Sequence, residues 1–230
     1  HNRNKAGTSL FIRAIAPHLA RAALASEVQA RVLEFIHSND HFFLNLSMPA
    51  CKAALDAAHG IENSTVVTTM ARNGVEFGIR VSGIGGNTWF TGPAQPVIGP
   101  MFAGYTPADA GLDIGDSAIT ETYGIGGFAM AAAPAIVPLV GGTVDEAIGY
   151  TRAMADITTD QNPNVTIPLL GFQGVPTGID VMKVVQTGVL PVINTAIAHK
   201  EPGIGMIGAG ITHPPIDCFT KALAALADSL

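Results

Sequence analysis

The stretch from Asp113 to Gly142, DIGDSAITETYGIGGFAMAAAPAIVPLVGG, constrains this chain more than any other. No residue from Thr122 to Val144 is charged. It opens with two carboxylates, Asp113 and Asp116. A hydroxyl-rich run follows, Ser117 to Thr122, and reads as extended. Next come the glycine loop Gly124-Ile-Gly126-Gly127 and an alanine-rich segment to Val140. A membrane span is long enough on paper. Its prolines, glycines and alanines make it weakly hydrophobic, and its flanks, Glu121 and Asp145, are acidic. The stretch therefore reads as a buried helix from Phe128 to about Val137, entered through a glycine loop. Such a loop at a helix start exposes unpaired N–H groups suited to phosphate or carboxylate. Hydroxyls and a glutamate just before a buried helix are costly unless paired or used.

The low charge content, 13%, against 48% hydrophobic residues implies extensive burial, subunit interfaces included. A net charge of −6 argues against a nucleic-acid partner, and the chain has no basic run for a membrane surface. Cys51 and Cys218, far apart, suggest no disulfide framework and fit a reduced, cytoplasmic setting. The expected partners are a small anion, phosphate or carboxylate, and further copies of the chain. A start at His1 reads as a fragment of something longer.

Residues 1–61 read as a mainly helical segment. Thr8 or Ser9 is expected to cap a first helix that Pro17 kinks or splits. Ser26-x-x-Gln29 spells a capping box for a second, and Ser47 caps a third with Pro49 in its first turn and Gly60 past its end. Residues 62–230 read as a mixed α/β domain. Asn73-Gly74 is a hairpin signal, with Val75, Phe77, Ile79 and Val81 alternating after it. Thr143-Val-Asp-Glu146 spells a second capping box. Val165–Leu170 and Val189–Ala198 read as strands, Gly178-Ile-Asp180 as a helix start, and Asp217 as the cap of a final amphipathic helix. The expected class is α+β (complex α/β): a helical N-terminal part followed by a mixed-sheet, glycine-rich part.

Gly203-Ile-Gly205-Met-Ile-Gly208 matches a dinucleotide fingerprint in letters but leaves no room for the helix that must follow, so it reads as a tight turn. His37 and His41 are spaced as zinc ligands without a third. Asp113 with Asp116 is a weak candidate pair for Mg²⁺ as a cofactor. The candidate anion-binding residues are Asn45, Lys52, Asn73, Ser117, Thr122, Gly124, Gly126 and Gly127, with Arg72 and Glu121 as candidate catalytic groups. Arg72 reads either as a surface turn charge or as an anion clamp at the hairpin lip.

The strings HNRNKAGTSL, NDHFFLNLSMPACKAA, MARNGVEFGIRVSG, GDSAITETYGIGGFAMAAAPA, GVPTGID and GIGMIGAGI resemble the YlbE/YahG-like family. This family includes the AllG-type subunit of oxamate carbamoyltransferase. The resemblance spans essentially the whole chain. It implies a role in anaerobic allantoin catabolism, in which oxalurate and phosphate give oxamate and carbamoyl phosphate. It also implies an FdrA-like partner subunit and a further N-terminal Rossmann-like region. In that setting Arg72 would hold a carboxylate or phosphate and the Gly124–Gly127 amides with Ser117 and Thr122 the other anion. Glu121 would move a proton at the leaving nitrogen or orient Arg72. The competing expectation is a scaffold subunit whose apolar stretch packs against partners.

Overall fold

A computed structural model describes residues 2–134 and 141–229. The fold is α+β, helical first and sheet-containing after, with every strand pairing antiparallel. The chain divides into two compact units, His1–Ala50 and Cys51–Leu230.

The first unit is built from α1 (Asn2–Arg21), α2 (Ser26–Ser38) and the start of α3 (Leu44–Ala57). Phe42 is its hinge pin, with ring centroids 5.5 Å from Phe11 and 6.2 Å from Phe35. Gly7 faces the Phe43 ring, where a Cβ would sit 2.6 Å from the ring carbon Cγ. Three expected helix signals act differently here. The first helix begins at Asn2, before Thr8 and Ser9, and carries Pro17 inside it without splitting. A proline near the end of a long helix forfeits one hydrogen bond, which the remaining turns sustain. The Ser26 box does not form: Ala25 is the N-cap, and Gln29 Nε2 turns back to donate to the Ala22 and Leu24 carbonyls, 3.5 and 3.1 Å away. Ser47 and Pro49 lie inside α3, because the Phe42–Phe43 turn starts the helix earlier.

The second unit holds a four-stranded sheet ordered β3-β2-β1-β4, from β1 (Val67–Asn73), β2 (Glu76–Val81), β3 (Phe90–Pro93) and the short β4 (Ile114–Gly115). Asn73-Gly74 makes the hairpin as its sequence predicts. Gly74 takes φ +85°, and Asn73 Oδ1 accepts from the N–H groups of Val75 and Glu76. Val75 is 72% exposed at the turn, so the buried alternation begins at Phe77. After β4 come α4 (Ala118–Tyr123), a 3-10 segment (Gly126–Ala132), α5 (Val144–Asp156), the ribbon β5 (Thr158–Ile167) with β6 (Gln173–Ile179), and α6 (Val181–Thr187). The ribbon β7 (Ile193–Ala198) with β8 (Met206–Thr212) and α7 (Ile216–Asp228) complete the unit.

The Ser117–Thr122 run is a helix, not a strand, because its hydroxyls turn onto backbone carbonyls one turn back. The expected helix from Phe128 is a 3-10 segment ending at Ala132, and the remainder, 135–140, lies outside the described residues. Among the described residues no helix is long and apolar enough to cross a membrane. The Thr143–Glu146 box forms, and Asp180 caps α6. Pro168 opens a 3-10 turn instead of extending β5, and the Val189 strand begins at Ile193. Pro215, not Asp217, is the N-cap of α7. Gly203 and Gly205 form the β7–β8 turn at φ +88° and +87°, the tight turn expected there.

The core joins Phe77 and Ile79 of the sheet, Phe219 and Ala222 of α7, Phe128, Met154 and Val184. Burying each large apolar side chain contributes about 1.5–3 kcal/mol. Phe77→Ala is therefore expected to lower unfolding stability by about 3–5 kcal/mol in urea titration, and a loss under about 1 kcal/mol would remove Phe77 from the core.

Candidate functional site

Arg72 ends the inward-facing run of β1, where an arginine faces the same interior as Met70. It is the last paired residue before the turn, opposite Phe77, but its side chain points inward and is no surface charge. Its side chain is 0% exposed and that of Asp113 is 1% exposed. Nε donates to Asp113 Oδ2 at 2.7 Å. Nη1 donates to the Gly115 carbonyl at 3.0 Å and Ser117 Oγ at 3.2 Å, and Nη2 donates to Thr195 Oγ1 at 2.7 Å. One guanidinium thus binds β4, the start of α4 and β7. Breaking such a buried pair from one side costs about 3–5 kcal/mol, since it strands a charge. Asp113 Oδ1 is buried without a partner.

Glu121 lies one helical turn beyond Ser117 and is fully buried. Its Oε1 accepts from the Gly127 N–H at 2.8 Å and the Asn194 N–H at 3.3 Å. Thr120 Oγ1 lies 3.0 Å from Oε2 and 2.8 Å from the Ser117 carbonyl. A hydroxyl has one proton to give. The Thr120 hydroxyl shares it between that carbonyl and Glu121 Oε2. Burial pushes the Glu121 pKa up to about 7, against the lowering pull of the Gly127 amide, Thr120 and Arg72. Burial likewise raises the Cys51 thiol to about 11, with the Glu121 charge adding to it.

The glycine loop closes on the chain's own Glu121 carboxyl group, to which the Gly127 N–H donates. Gly124, at φ +108°, ends α4, and its N–H donates to the Thr120 and Glu121 carbonyls. Gly126 has φ +63°, and a Cβ there would overlap the Glu121 carboxylate. Only glycine lets the loop close over it.

Arg72, Ser117, Glu121, Gly124, Gly126 and Gly127 are therefore brought into one polar centre. Thr122 is buried beside them, but its hydroxyl donates to the Ala118 carbonyl at 2.8 Å. The other candidates are elsewhere. Asn73 caps the hairpin, Asn45 is exposed on α3 in the first unit, and Lys52 pairs with Asp56 one turn away. Asp113 and Asp116 do not converge on a cation, since Asp113 faces the Arg72 charge and Asp116 is exposed. Among the described residues no group of three His, Cys, Asp or Glu side chains is placed to hold a metal. Sequence reasoning missed Thr195 and Asn194. The signal was available in β7, where Asn194-Thr195 interrupts an apolar strand. Asn194 Oδ1, like Asp113 Oδ1, is buried without a partner.

The Glu121 environment sets a pH dependence. Its folded-state pKa lies above the unfolded value near 4.5, so the stability supplied by the neutral acid is complete below that pH and is lost as pH rises towards about 7. Glu121→Gln, which keeps the neutral shape, is expected to match the parent near pH 4 and to exceed it at pH 8 by about 3 kcal/mol. Parallel denaturant curves for the two proteins over that range would contradict the shift.

Known proteins place this geometry in a lineage. A family model described as oxamate carbamoyltransferase subunit AllG matches residues 1–117, which include Arg72 and Asp113. An uncharacterized protein, YahG, of Escherichia coli (strain K12) is 69% identical over 223 residues, 97% of this chain and 47% of that protein. The oxamate carbamoyltransferase subunit AllG of the same organism is 48% identical over 231 aligned positions, 100% of this chain and 55% of that protein. A crystal structure of a conserved protein of unknown function from Enterococcus faecalis V583 superposes with a TM-score of 0.96 at 68% identity, covering 99% of this chain and 54% of that one. The chain spans about half the length of the relatives it matches. On the strength of the family match and the identity along its whole length, the chain belongs to the YahG/AllG-like family.

Proposed function

We propose that this chain is part of a subunit of a carbamoyl-transferring enzyme, working with partner subunits on small anions. The reaction is phosphorolysis of oxalurate. A phosphate oxygen attacks the ureido carbonyl carbon, and the bond from that carbon to the oxamate nitrogen breaks. The nitrogen leaves with the proton that phosphate brings, giving oxamate and carbamoyl phosphate. The observation that carries this reading is the 48% identity to AllG across the whole chain.

The chemistry asks for charge stabilisation on the carbamoyl oxygen and for proton transfer to the departing nitrogen. Arg72 and Glu121 are both enclosed by the chain's own groups, so in this reading they are positioning residues. Arg72 fixes Ser117 and β7. Glu121, able to exchange its proton near neutrality, holds the glycine loop and sets its electrostatics. A scaffold role is the second reading, favoured by one observation: Arg72, Ser117, Glu121, Gly124 and Gly127 all have partners inside the chain.

The two readings separate in an assay of carbamoyl phosphate formation from oxalurate and phosphate by the complete protein with its partner subunits. The catalytic reading expects Glu121→Gln to remove the limb of the pH–rate profile near neutrality. It also expects Arg72→Lys, which keeps the charge but not the fork, to lower kcat/KM by about a hundredfold in folded protein. An unchanged profile and unchanged kcat/KM in both variants would leave this half of the subunit a scaffold.

A further inference from the structure

A second arginine of this unit faces the opposite situation from Arg72. Arg80, on β2, has no carboxylate within ion-pair distance among the described residues. Its Nη2 lies 2.9 Å from His59 Nε2 and donates to the Gly86 carbonyl. His59 Nε2 also lies 3.0 Å from the Gly86 carbonyl and Nδ1 2.8 Å from Thr68 Oγ1, so the ring is held between Arg80, Gly86 and Thr68.

Among the described residues no acceptor pairs with Arg80 Nη1, and Nε is buried without a partner. A charged donor left this way is costly, by about 1–3 kcal/mol for the buried N–H alone. The guanidinium also lies over the Trp89 ring, 5.9 Å from its centroid. Trp89 is held there by an absence. Gly78, beside Arg80's neighbour Ile79 on β2, has no side chain, and a Cβ would stand 2.9 Å from Trp89 Cε3. The ring is nevertheless 39% exposed. Next to it, Gly86 takes φ +56° with no heavy atom within 4 Å of where its Cβ would be. The result is an uncompensated cation, pre-oriented by an aromatic ring and a histidine, beside open space at the surface of an acidic chain.

We propose that Arg80 and Trp89 form a recognition site for a small oxyanion, a carboxylate or a phosphate, which accepts from Nη1 of the guanidinium with the indole as its wall. A planar fork stacked on a ring loses little freedom on meeting an oxyanion. Arg72, enclosed by the chain's own groups, offers no such donor. The site stands whether or not the chain takes part in carbamoyl transfer.

Trp89 is the single tryptophan of the chain, so its fluorescence reports directly on Arg80. The experiment titrates the 230-residue chain with inorganic phosphate and, separately, with oxamate, against sodium chloride at matched ionic strength. A saturable change with phosphate or oxamate and none with chloride is expected, and the stronger of the two identifies the anion class. The half-saturation concentration should rise about tenfold in Arg80→Lys, and the change should vanish in Arg80→Met. A wild-type response no different from chloride, or one that persists in Arg80→Met, would overturn the site. Should Arg80→Met fail to fold, peptide-mapped modification of wild-type arginines by phenylglyoxal replaces it. Protection of Arg80 by the same anion is then the expected result, and equal modification with and without it overturns the proposal.

Discussion

The Arg72–Asp113 pair is the constraint on which the second unit depends. A charge enclosed by protein is tolerated only when its partner and its remaining donors are all placed. Arg72 meets that condition by reaching two separate parts of the chain: the Asp113–Ser117 segment, including the β4 carbonyl at Gly115, and Thr195 on β7. Each contact fixes one of them relative to the β1–β2 hairpin. The apolar core could accept small changes in packing; the guanidinium geometry cannot. The hairpin, the two-residue β4, the start of α4 and the β7–β8 ribbon are thereby held in one arrangement.

From that anchor the second polar feature follows. With Ser117 fixed, α4 carries Glu121 one turn further into the interior, where water does not reach. Something must satisfy the carboxyl group, and the next residues supply it. Gly124 turns the chain back, Gly126 closes without a side chain, and Gly127 donates its N–H. The loop is closed on a carboxyl group of its own chain. Its ligand is neutral when protonated and charged when not, so the loop's electrostatic state follows pH near neutrality. This coupling is what an acid–base role would draw on and what a pure scaffold would have no need of.

Much of this was legible in the sequence, for physical reasons that can be named. Asn73-Gly74 and Thr143-x-x-Glu146 are local devices whose hydrogen bonds close within four residues, so reading them needs no tertiary knowledge. That Glu121, beside a long uncharged run, has to be paired was readable too. What the sequence withheld was which partner. The Arg72 carboxylate lies 41 residues away and its Thr195 contact 123 residues away. Spacing along a chain says nothing about such closures. Ser117–Thr122 misled for a related reason: β-branched and hydroxyl residues favour strands on average, but here each hydroxyl finds a carbonyl within its own helical turn or a neighbour in the polar centre. Ser26 looked like a cap because Gln29 stood three residues on, yet Gln29 found the Ala22 and Leu24 carbonyls first.

The account turns on Glu121 being the internal ligand of the glycine loop and holding its proton up to neutral pH. The most direct measurement is an isotope-edited infrared titration that follows the carboxylic-acid carbonyl band of Glu121, assigned by its loss in Glu121→Gln. The account predicts that the band persists at pH 6 and titrates away around pH 7. A band already gone at pH 5, as for a solvated glutamate, would contradict it.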